Sequence, residues 1–329
     1  MSHLFSSILT EDQSNLLRIL TYHRVASPRD AYMLDPRLIS TDPVTFKQHM
    51  QHLATHYHVV GLEDVCEAIA RGVQLPKKSV LITFDDAYCD LTKYALPILR
   101  DLRLPVTIFV PTAYPDQPER AFWWDRMYRT LAYTAYIEFD FAPIGHLSLK
   151  TPADRRQSIR KIKQHLLKMD HNQAMLIVDQ ICEQLHSHAT RQKSVLTWDE
   201  LRGLTKQGVT LGAHTRTHPI LTNLPVEQAR DEMIGSQQDL QREIGHVLPV
   251  FCYPNGNHNA LTTQILKENN FVAGFTTLVG QNDLRLADPL RLNRQNITPK
   301  TSLAIFRLRL FRLGAYMDRW RLRNKQQAY

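Results

Sequence analysis

Two short polar motifs, each directly after an apolar run, contain the residues of this 329-residue chain that are best suited to chemistry. Asp85 and Asp86 follow the run SVLITF, and His214 and His218 follow the run VTLGA. One carboxylate and two neutral imidazoles form a ligand set that suits Zn²⁺ and related divalent ions. Three protein ligands also leave a coordination position open, which is typical of a catalytic metal site.

The second carboxylate of the aspartate pair could accept a proton from water. Each motif is ambiguous by itself, because a strand-end aspartate often caps a helix and two histidines four residues apart often only pack together. Their combination, in this order and at matching strand ends, favours the metal interpretation. The sequence therefore indicates a metal-dependent hydrolase.

Strand-like apolar runs alternate along the chain with helix-like periodic segments. The predicted strands are residues 17–22, 79–84, 106–110, 209–213, 250–253 and 271–276, and the predicted helices are 46–56, 62–71, 91–102, 198–207, 226–244 and 260–269. Such alternation predicts an α/β fold with a parallel sheet, either a barrel or a doubly wound sheet. Both polar motifs follow strands, at the edge where α/β enzymes place their chemistry.

Residues 113–196 form a long insertion between the two motifs. It contains two predicted helices, 153–169 and 173–185, and the aromatic segment 122–124. We expect a helical insertion that serves either as a lid or length gauge near the site or as a solvated decoration on the flank. Core packing is the expected role of its tryptophans.

Composition and cysteine use are those of an ordinary soluble protein. Hydrophobic residues make up 43% and charged residues 22% of the chain, and the four cysteines contain no CxxC pair. This pattern favours a reducing compartment. Since we find neither a secretory signal pattern nor an apolar run of about 20 residues, we expect a cytoplasmic protein.

The carboxyl-terminal segment 302–329 is strongly basic. It carries +6 of the chain's net charge of +8 and reads as an amphipathic helix. Two interpretations stay open: the helix docks on the barrel with its arginines in solvent, or it contacts an anionic membrane surface. The second would make the protein peripheral at the inner membrane. Nucleic acid is not an expected partner, because the remainder of the chain is nearly balanced in charge.

With these motifs in place, the chain resembles the polysaccharide deacetylase family, carbohydrate esterase family 4. TFDD at 83–86 resembles the family's first motif, HTRTH at 214–218 the second, and FCYPNG at 251–256 the shorter form of the third. The likeness runs from about residue 17 to 294 and is weakest in the insertion. It implies a distorted (β/α) barrel of seven strands in a single domain, residues 1–329, and the removal of an N-acetyl group from an amino sugar.

The resemblance also implies roles for individual residues. Asp85 is the expected base, while Asp86, His214 and His218 are expected to hold a divalent ion, with Zn²⁺ the first choice and other divalent ions as alternatives. The backbone amide of Tyr253 is the expected oxyanion donor. Together these groups would act on an N-acylated saccharide substrate.

Three departures from the family pattern matter. Ala87 stands where the first motif usually has glycine, which matters if that position needs a positive φ. The third motif lacks the arginine that usually orients the base, and we expect Arg294 to replace it. No carboxyl-terminal LxH motif supplies a general acid, so His23, after the first strand, is the predicted acid, as in branches that resemble the biofilm poly-N-acetylglucosamine deacetylases.

Two other functions stay open at this stage. The same chemistry could deformylate or deacylate a nucleotide-linked or lipid-linked amino sugar, or hydrolyse another amide. A catalytically silent protein that binds metal or an anionic surface is the third hypothesis. The complete ligand set with its spare carboxylate favours an enzyme over the silent protein.

Overall fold

The computed structural model describes residues 15–27, 29–30, 33–186 and 193–311. In chain order the strands are β1 (Leu16–Tyr22), β2 (Arg24–Val25), β3 (Ile39–Thr41), β4 (His58–Val59), β5 (Ser79–Phe84), β6 (Val106–Val110), β7 (Glu138–Phe141), β8 (Gly145–Ser148), β9 (Val209–Ala213), β10 (Val250–Cys252), β11 (Ala273–Phe275), β12 (Asn282–Asp283) and β13 (Gln295–Asn296). The helices are α1 (Pro43–His56), α2 (Leu62–Arg71), α3 (Leu96–Asp101), α4 (Trp123–Tyr133), α5 (Pro152–Leu166), α6 (His171–Gln184), α7 (Trp198–Thr205), α8 (Val226–Ile244), α9 (Ala260–Glu268) and α10 (Leu303–Leu310).

Six parallel strands curl around the centre of the molecule in the order β11-β10-β9-β6-β5-β1. The segment 292–297 closes the curl, because Leu292 pairs with β11 and β13 pairs with β1. The Leu292 amide donates to the Gly274 carbonyl at 2.8 Å. This ring confirms the predicted distorted seven-stranded (β/α) barrel.

The core explains why the strands read as continuous apolar runs. Every residue of β1 and β5 is buried, as expected for parallel strands that are covered on both faces. Because side chains alternate along a strand, one set that includes Leu17 and Leu81 packs with Phe109 and Phe275. The alternate set, with Leu20, packs against the surrounding helices.

Most predicted helices are confirmed to within a few residues, and one is irregular. The predicted helix 91–102 begins as a π-helical turn over Leu91–Ala95, in which the Leu96 amide donates to the Leu91 carbonyl, and continues as α3. Pro97 lies at the start of α3 and has no N–H for the α-helical ladder. The hydrogen bonding is therefore rearranged at this point of the helix.

The insertion is more than two helices. α5 and α6 confirm the predicted pair, and α4 begins in the aromatic segment. The hairpin of β7 and β8 is a feature that the prediction missed, although the alternating burial of β7 and the positive φ of Gly145 are typical of a hairpin. These elements share a hydrophobic cluster of their own, which includes Phe122 and Trp124.

The described part of the carboxyl-terminal segment docks on the barrel. Phe306 of α10 is buried and stacks on His49 of α1 with ring centroids 4.0 Å apart, and the Leu310 carbonyl accepts a hydrogen bond from Arg18. Residues 312–329, and with them most of the predicted amphipathic helix, lie outside the described residues. The single-domain description of 1–329 stays a prediction. None of the described helices combines the length and apolar character needed to cross a membrane.

Candidate active site

Strand register gathers the two motifs at one edge of the barrel. Tyr22 pairs with Phe84, so His23 and Asp85 follow adjacent strand ends. Ala213 pairs with both Val110 and Phe251, which places His214 between the ends of β6 and β10. Because parallel strands end at the same edge, motifs more than a hundred residues apart become neighbours.

Asp86, His214 and His218 converge on one point. Asp86 Oδ1 lies 3.5 Å from Nε2 of His214 and 3.4 Å from Nε2 of His218, and the three side chains are buried. Oδ1 has no hydrogen-bond donor among the described residues. A buried carboxylate oxygen without a donor is costly unless a cation compensates it. The three residues therefore fit a divalent metal ion.

The two imidazoles are held differently in the site. Burial by itself would lower the pKa of His214, but Cys252 and the Asp86 carboxylate outweigh it and raise that pKa, so a metal ion would replace a proton at this residue. His214 donates a hydrogen bond from Nδ1 to the Cys252 carbonyl at 2.7 Å, which leaves the lone pair of Nε2 directed at Asp86. Burial lowers the pKa of His218 to about 4, so this imidazole is neutral near pH 7. Trp124 contacts the His218 ring edge-on, with centroids 4.7 Å apart. Neutral imidazoles are the form that binds a metal.

The motif loops adopt backbone conformations that non-glycine residues rarely occupy. The φ angles are 72° at Asp86, 48° at Ala87, 65° at Thr215 and 59° at His218. Thr215 Oγ1 supports the second loop by accepting the His218 amide at 3.0 Å. Strain of this kind concentrates at functional sites. Ala87 thus occupies a position that does need a positive φ, at a cost of about 1 kcal/mol relative to glycine.

Asp85 is held by the predicted arginine. Arg294 Nη1 and Nη2 donate to Asp85 Oδ1 and Oδ2, each at 2.8 Å, and Arg294 Nε donates to the Thr276 carbonyl at 2.7 Å. Burial by itself would raise the pKa of Asp85, but the charge and hydrogen bonds of Arg294 outweigh it and hold that pKa well below its usual range. The carboxylate is therefore ionised and fixed in orientation.

A second group of metal-binding residue types lies beside the first. Potential ligand atoms of Asp85, His214 and Cys252 also lie within 4.8 Å of one another. Both Asp85 oxygens accept from Arg294, and Nδ1 of His214 is occupied by the Cys252 carbonyl. The group with Asp86 is consequently the better candidate metal site, and Asp85 lies beside it as an ionised carboxylate.

The predicted acid, His23, also lies close to Asp85. Its Nε2 is 4.0 Å from Asp85 Oδ2, and its side chain is 27% exposed. The His23 amide donates to Ser40 Oγ at 2.8 Å, which anchors the backbone at the end of β1. An accessible imidazole in this position can reach a group bound in front of Asp85.

The structure does not support the prediction for Tyr253. Its backbone amide donates to the Phe275 carbonyl at 3.0 Å and continues the pairing of β10 with β11, so it is not available to an oxyanion. The Tyr253 side chain is buried and donates to the Leu290 carbonyl. Two residues later, Asn255 has a φ of 53° and lines the cavity. The tight turn therefore presents Asn255 to the site.

A cavity of about 200 Å³ lies in front of these groups. Five of the predicted residues line it, namely His23, Asp85, Asp86, His214 and His218. The other lining residues are Leu38, Trp123, Trp124, Lys163, Leu167, Asn255, Thr277 and Asn296. Four of these come from the insertion, which therefore forms part of the cavity wall and is not a remote decoration. Trp123 and Trp124 are buried, as predicted, and also face the cavity. Among the remaining lining residues, Asn255 was the one that lay in a motif assigned to the site from the sequence, the YPNG turn.

Replacing Arg294 with methionine is expected to destabilise the protein and to impair activity. The variant leaves the buried carboxylate of Asp85 unpaired, and breaking a buried ion pair costs about 3–5 kcal/mol. Urea unfolding measures the stability, and initial rates measure the activity. Arg285→Met is the control, since Arg285 forms an exposed pair with Asp283 that we expect to contribute at most about 1 kcal/mol. Equal losses of stability and of activity in Arg294→Met and Arg285→Met would contradict the role of Arg294 in orienting Asp85.

Replacing Gly256 with alanine is expected to distort the cavity wall. Gly256 has a φ of 72°, and an added Cβ would overlap both the hydroxyl and the backbone nitrogen of Thr277. Gly72→Ala is a matched control, because Gly72 has a φ of 68° with open space around it. We expect the control to lose about 1–2 kcal/mol of unfolding free energy from backbone strain alone. Gly256→Ala should lose about 1–3 kcal/mol more unfolding free energy than Gly72→Ala, and it should also lose activity. Equal unfolding free energies of the two variants in urea would refute this.

Comparison with known proteins points to the same family as the sequence motifs. The model of the polysaccharide deacetylase family matches residues 72–274. YxkH of Bacillus subtilis (strain 168), named for the same family, is 20% identical over 303 residues, which are 92% of this chain and 76% of YxkH.

Two solved structures share the fold. The Streptococcus pyogenes deacetylase PplD in complex with acetate has a TM-score of 0.59 and 22% identity, covering 88% of this chain and 96% of PplD. IcaB from Ammonifex degensii has a TM-score of 0.57 and 17% identity, covering 92% of this chain and 97% of IcaB.

Proposed function

Because the chain belongs to the polysaccharide deacetylase family and is therefore a hydrolase of amide C–N bonds, we propose that it removes the N-acetyl group from an amino sugar in a saccharide or glycan precursor. The observation that carries this proposal is the arrangement of the aspartate pair. Asp86 converges with two imidazoles, while Asp85, next to it, is ionised and held by Arg294.

We propose that Asp86, His214 and His218 hold a divalent metal ion, with Zn²⁺ as the first choice for an O/N/N donor set. Such an ion supplies Lewis acidity towards the acyl oxygen and lowers the pKa of a water molecule to about 7. The hydrogen bond from His214 to the Cys252 carbonyl fixes the imidazole in the orientation that ligation needs.

Proton transfer falls to two neighbouring residues that line the cavity. Asp85 accepts a proton from the attacking water, and Arg294 keeps this carboxylate ionised and oriented until it does so. His23, 4.0 Å from Asp85, donates a proton to the nitrogen of the leaving amine. The buried aromatic wall of Trp123 and Trp124 limits the access of bulk solvent to these steps.

A substrate screen tests the proposal. Acetylated and formylated amino sugars, each in free, nucleotide-linked and lipid-linked form, are incubated with the metal-loaded enzyme, and released acetate and formate are measured. Release of acetate supports the proposed reaction. Release of formate alone would favour the deformylase alternative, and release of neither from any substrate would contradict both.

We also propose a cytoplasmic location, with the basic tail in contact with the inner membrane surface. The support is the charge of +6 over the terminal segment. α10 already packs on the barrel, so deletion of residues 312–329 alone removes the remaining basic residues without disturbing that contact. Flotation with vesicles of anionic lipid should show binding by the full chain and a loss of binding in the truncated one. Equal flotation of both would exclude the tail as the contact.

A further inference from the structure

A basic groove of about 680 Å³ lies beside the reaction cavity. The same two elements border both spaces. Residues 35–37 line the groove and Leu38 lines the cavity, while α5 contributes Arg156 and Arg160 to the groove and Lys163 to the cavity. The groove and the cavity share no lining residue, but they are adjacent along both of these segments.

Helical spacing arranges the cations of α5 in a row. Arg156, Arg160 and Lys163 are four and three residues apart and so lie on one face of the helix. At a rise of 1.5 Å per residue, the row spans about 10 Å from the groove to the cavity. Lys163 is half-buried at the inner end, and Arg156 and Arg160 are exposed at the outer end.

None of these three cations forms an ion pair with a residue of the described part of the chain. Within the described ranges, no carboxylate lies within 4.0 Å of Arg156, Arg160 or Lys163. Among the residues that line the groove, Asp35 is the one acid, and Arg37 occupies it with hydrogen bonds of 2.6–3.1 Å. Burial and the nearby Arg37 guanidinium lower the pKa of Lys163, and the more distant charges of Asp35 and Asp125 offset this only in part, so a bound anion would favour the charged form of Lys163.

We propose that this row binds a phosphate group of the substrate, so that the enzyme acts on a phosphate-linked amino sugar in preference to a neutral glycan. This inference rests on the proposed deacetylation and adds the substrate class. A ligand with a single carboxylate carries one negative charge, whereas the row offers three cations, which suits the higher charge of a phosphate. Guanidinium groups also match the geometry of phosphate oxygens. The phosphate lies between Arg160 and Lys163, where the groove meets the cavity, and Arg156 adds positive charge at the outer end of the row.

Kinetic preference is the first test. The kcat/KM for acetate release is compared between a phosphate-linked N-acetyl amino sugar and the uncharged methyl glycoside of the same sugar. We expect the wild-type holoenzyme to prefer the phosphate-linked form at least tenfold, and less so as salt rises from 50 to 200 mM. Lys163→Met and Arg160→Met, which keep an apolar stem, should each reduce the ratio at least fivefold. Lys161→Met is the control, since Lys161 is exposed on α5 and lines neither space.

Calorimetric binding of an unreactive analogue separates this inference from the reaction itself. The analogue is a phosphate-linked hexose that lacks the amide, compared with its methyl glycoside. At least tenfold tighter binding of the phosphate-linked hexose, lost in Lys163→Met but kept in Lys161→Met, supports the groove even if no acetate is released. Equal binding of the two hexoses overturns it, even if deacetylation is observed. Nucleoside-diphosphate and short polyprenyl-phosphate versions show which source of phosphate the groove accepts.

Discussion

The substitution Asp85→Asn is expected to lower kcat by about 10³-fold or more, within the range that general base catalysis contributes. The amide of asparagine cannot accept the proton that the ionised carboxylate takes from water. Metal content should stay stoichiometric, because the converging oxygen belongs to Asp86 and not to Asp85. Acetate release measures the rate, and mass spectrometry of the purified protein measures the metal.

Asp125→Asn is the matched control for this variant. Asp125 is equally buried and pairs with Arg24 at 3.0 Å, but it does not line the cavity. Both substitutions weaken a buried aspartate–arginine pair, so both should lower the unfolding free energy. Only Asp85→Asn should abolish turnover. Near-normal turnover in Asp85→Asn would show that the base is a different residue.

Alanine at position 214 is expected to remove both the metal and the activity. His214 supplies one of three ligand atoms, and its removal also breaks the hydrogen bond that positions the ring. Loss of an outer partner of a metal ligand already costs about 10–100-fold in metal affinity, and loss of the ligand itself costs more. Metal content after dialysis and turnover should both fall to background, and millimolar metal should restore little activity.

His49→Ala is the control for loss of a buried imidazole. His49 is fully buried, stacks on Phe306 and bonds to the Tyr22 hydroxyl, without contact to the cluster of Asp86. The control should lose stability through the cavity it creates but retain its metal. Full metal occupancy in His214→Ala would place the ion elsewhere, and the neighbouring group of Asp85 and Cys252 would then need to be reconsidered.

The insertion links the architecture to specificity. In the proposed reaction, a barrel with the Asp86 cluster alone could act on many amides, because the proposed metal and base would contact only the reacting group. Trp123, Trp124 and Lys163 reach the cavity from helices that pack in a hydrophobic cluster of their own. The cavity wall is therefore built from two structural units, the barrel end with the Asp86 cluster and the insertion, and we expect the insertion to influence the choice of substrate.

The main parallel strands and the metal-binding residue types could be inferred from the sequence pattern, whereas the pattern left a barrel and a doubly wound sheet open and only the family resemblance favoured the barrel. Buried parallel strands are largely apolar, and each run here is followed by a polar residue or a proline, so their bounds were predictable to within a few residues. The positions of Asp86, His214 and His218 after strands could be predicted for the same reason. The register of the strands, in contrast, is seen only in the tertiary structure.

Only the tertiary structure decided how the remaining site residues are used. The contact of Arg294 with Asp85 spans 209 positions and exists because the segment 292–297 closes the barrel beside β1. The pairing of β10 with β11 occupies the Tyr253 amide, and Asn255 faces the cavity instead. Lys163 reaches the cavity because α5 docks there, and a helical pattern does not encode where a helix docks. Local patterns specify elements, whereas contacts between distant elements depend on how the whole chain packs.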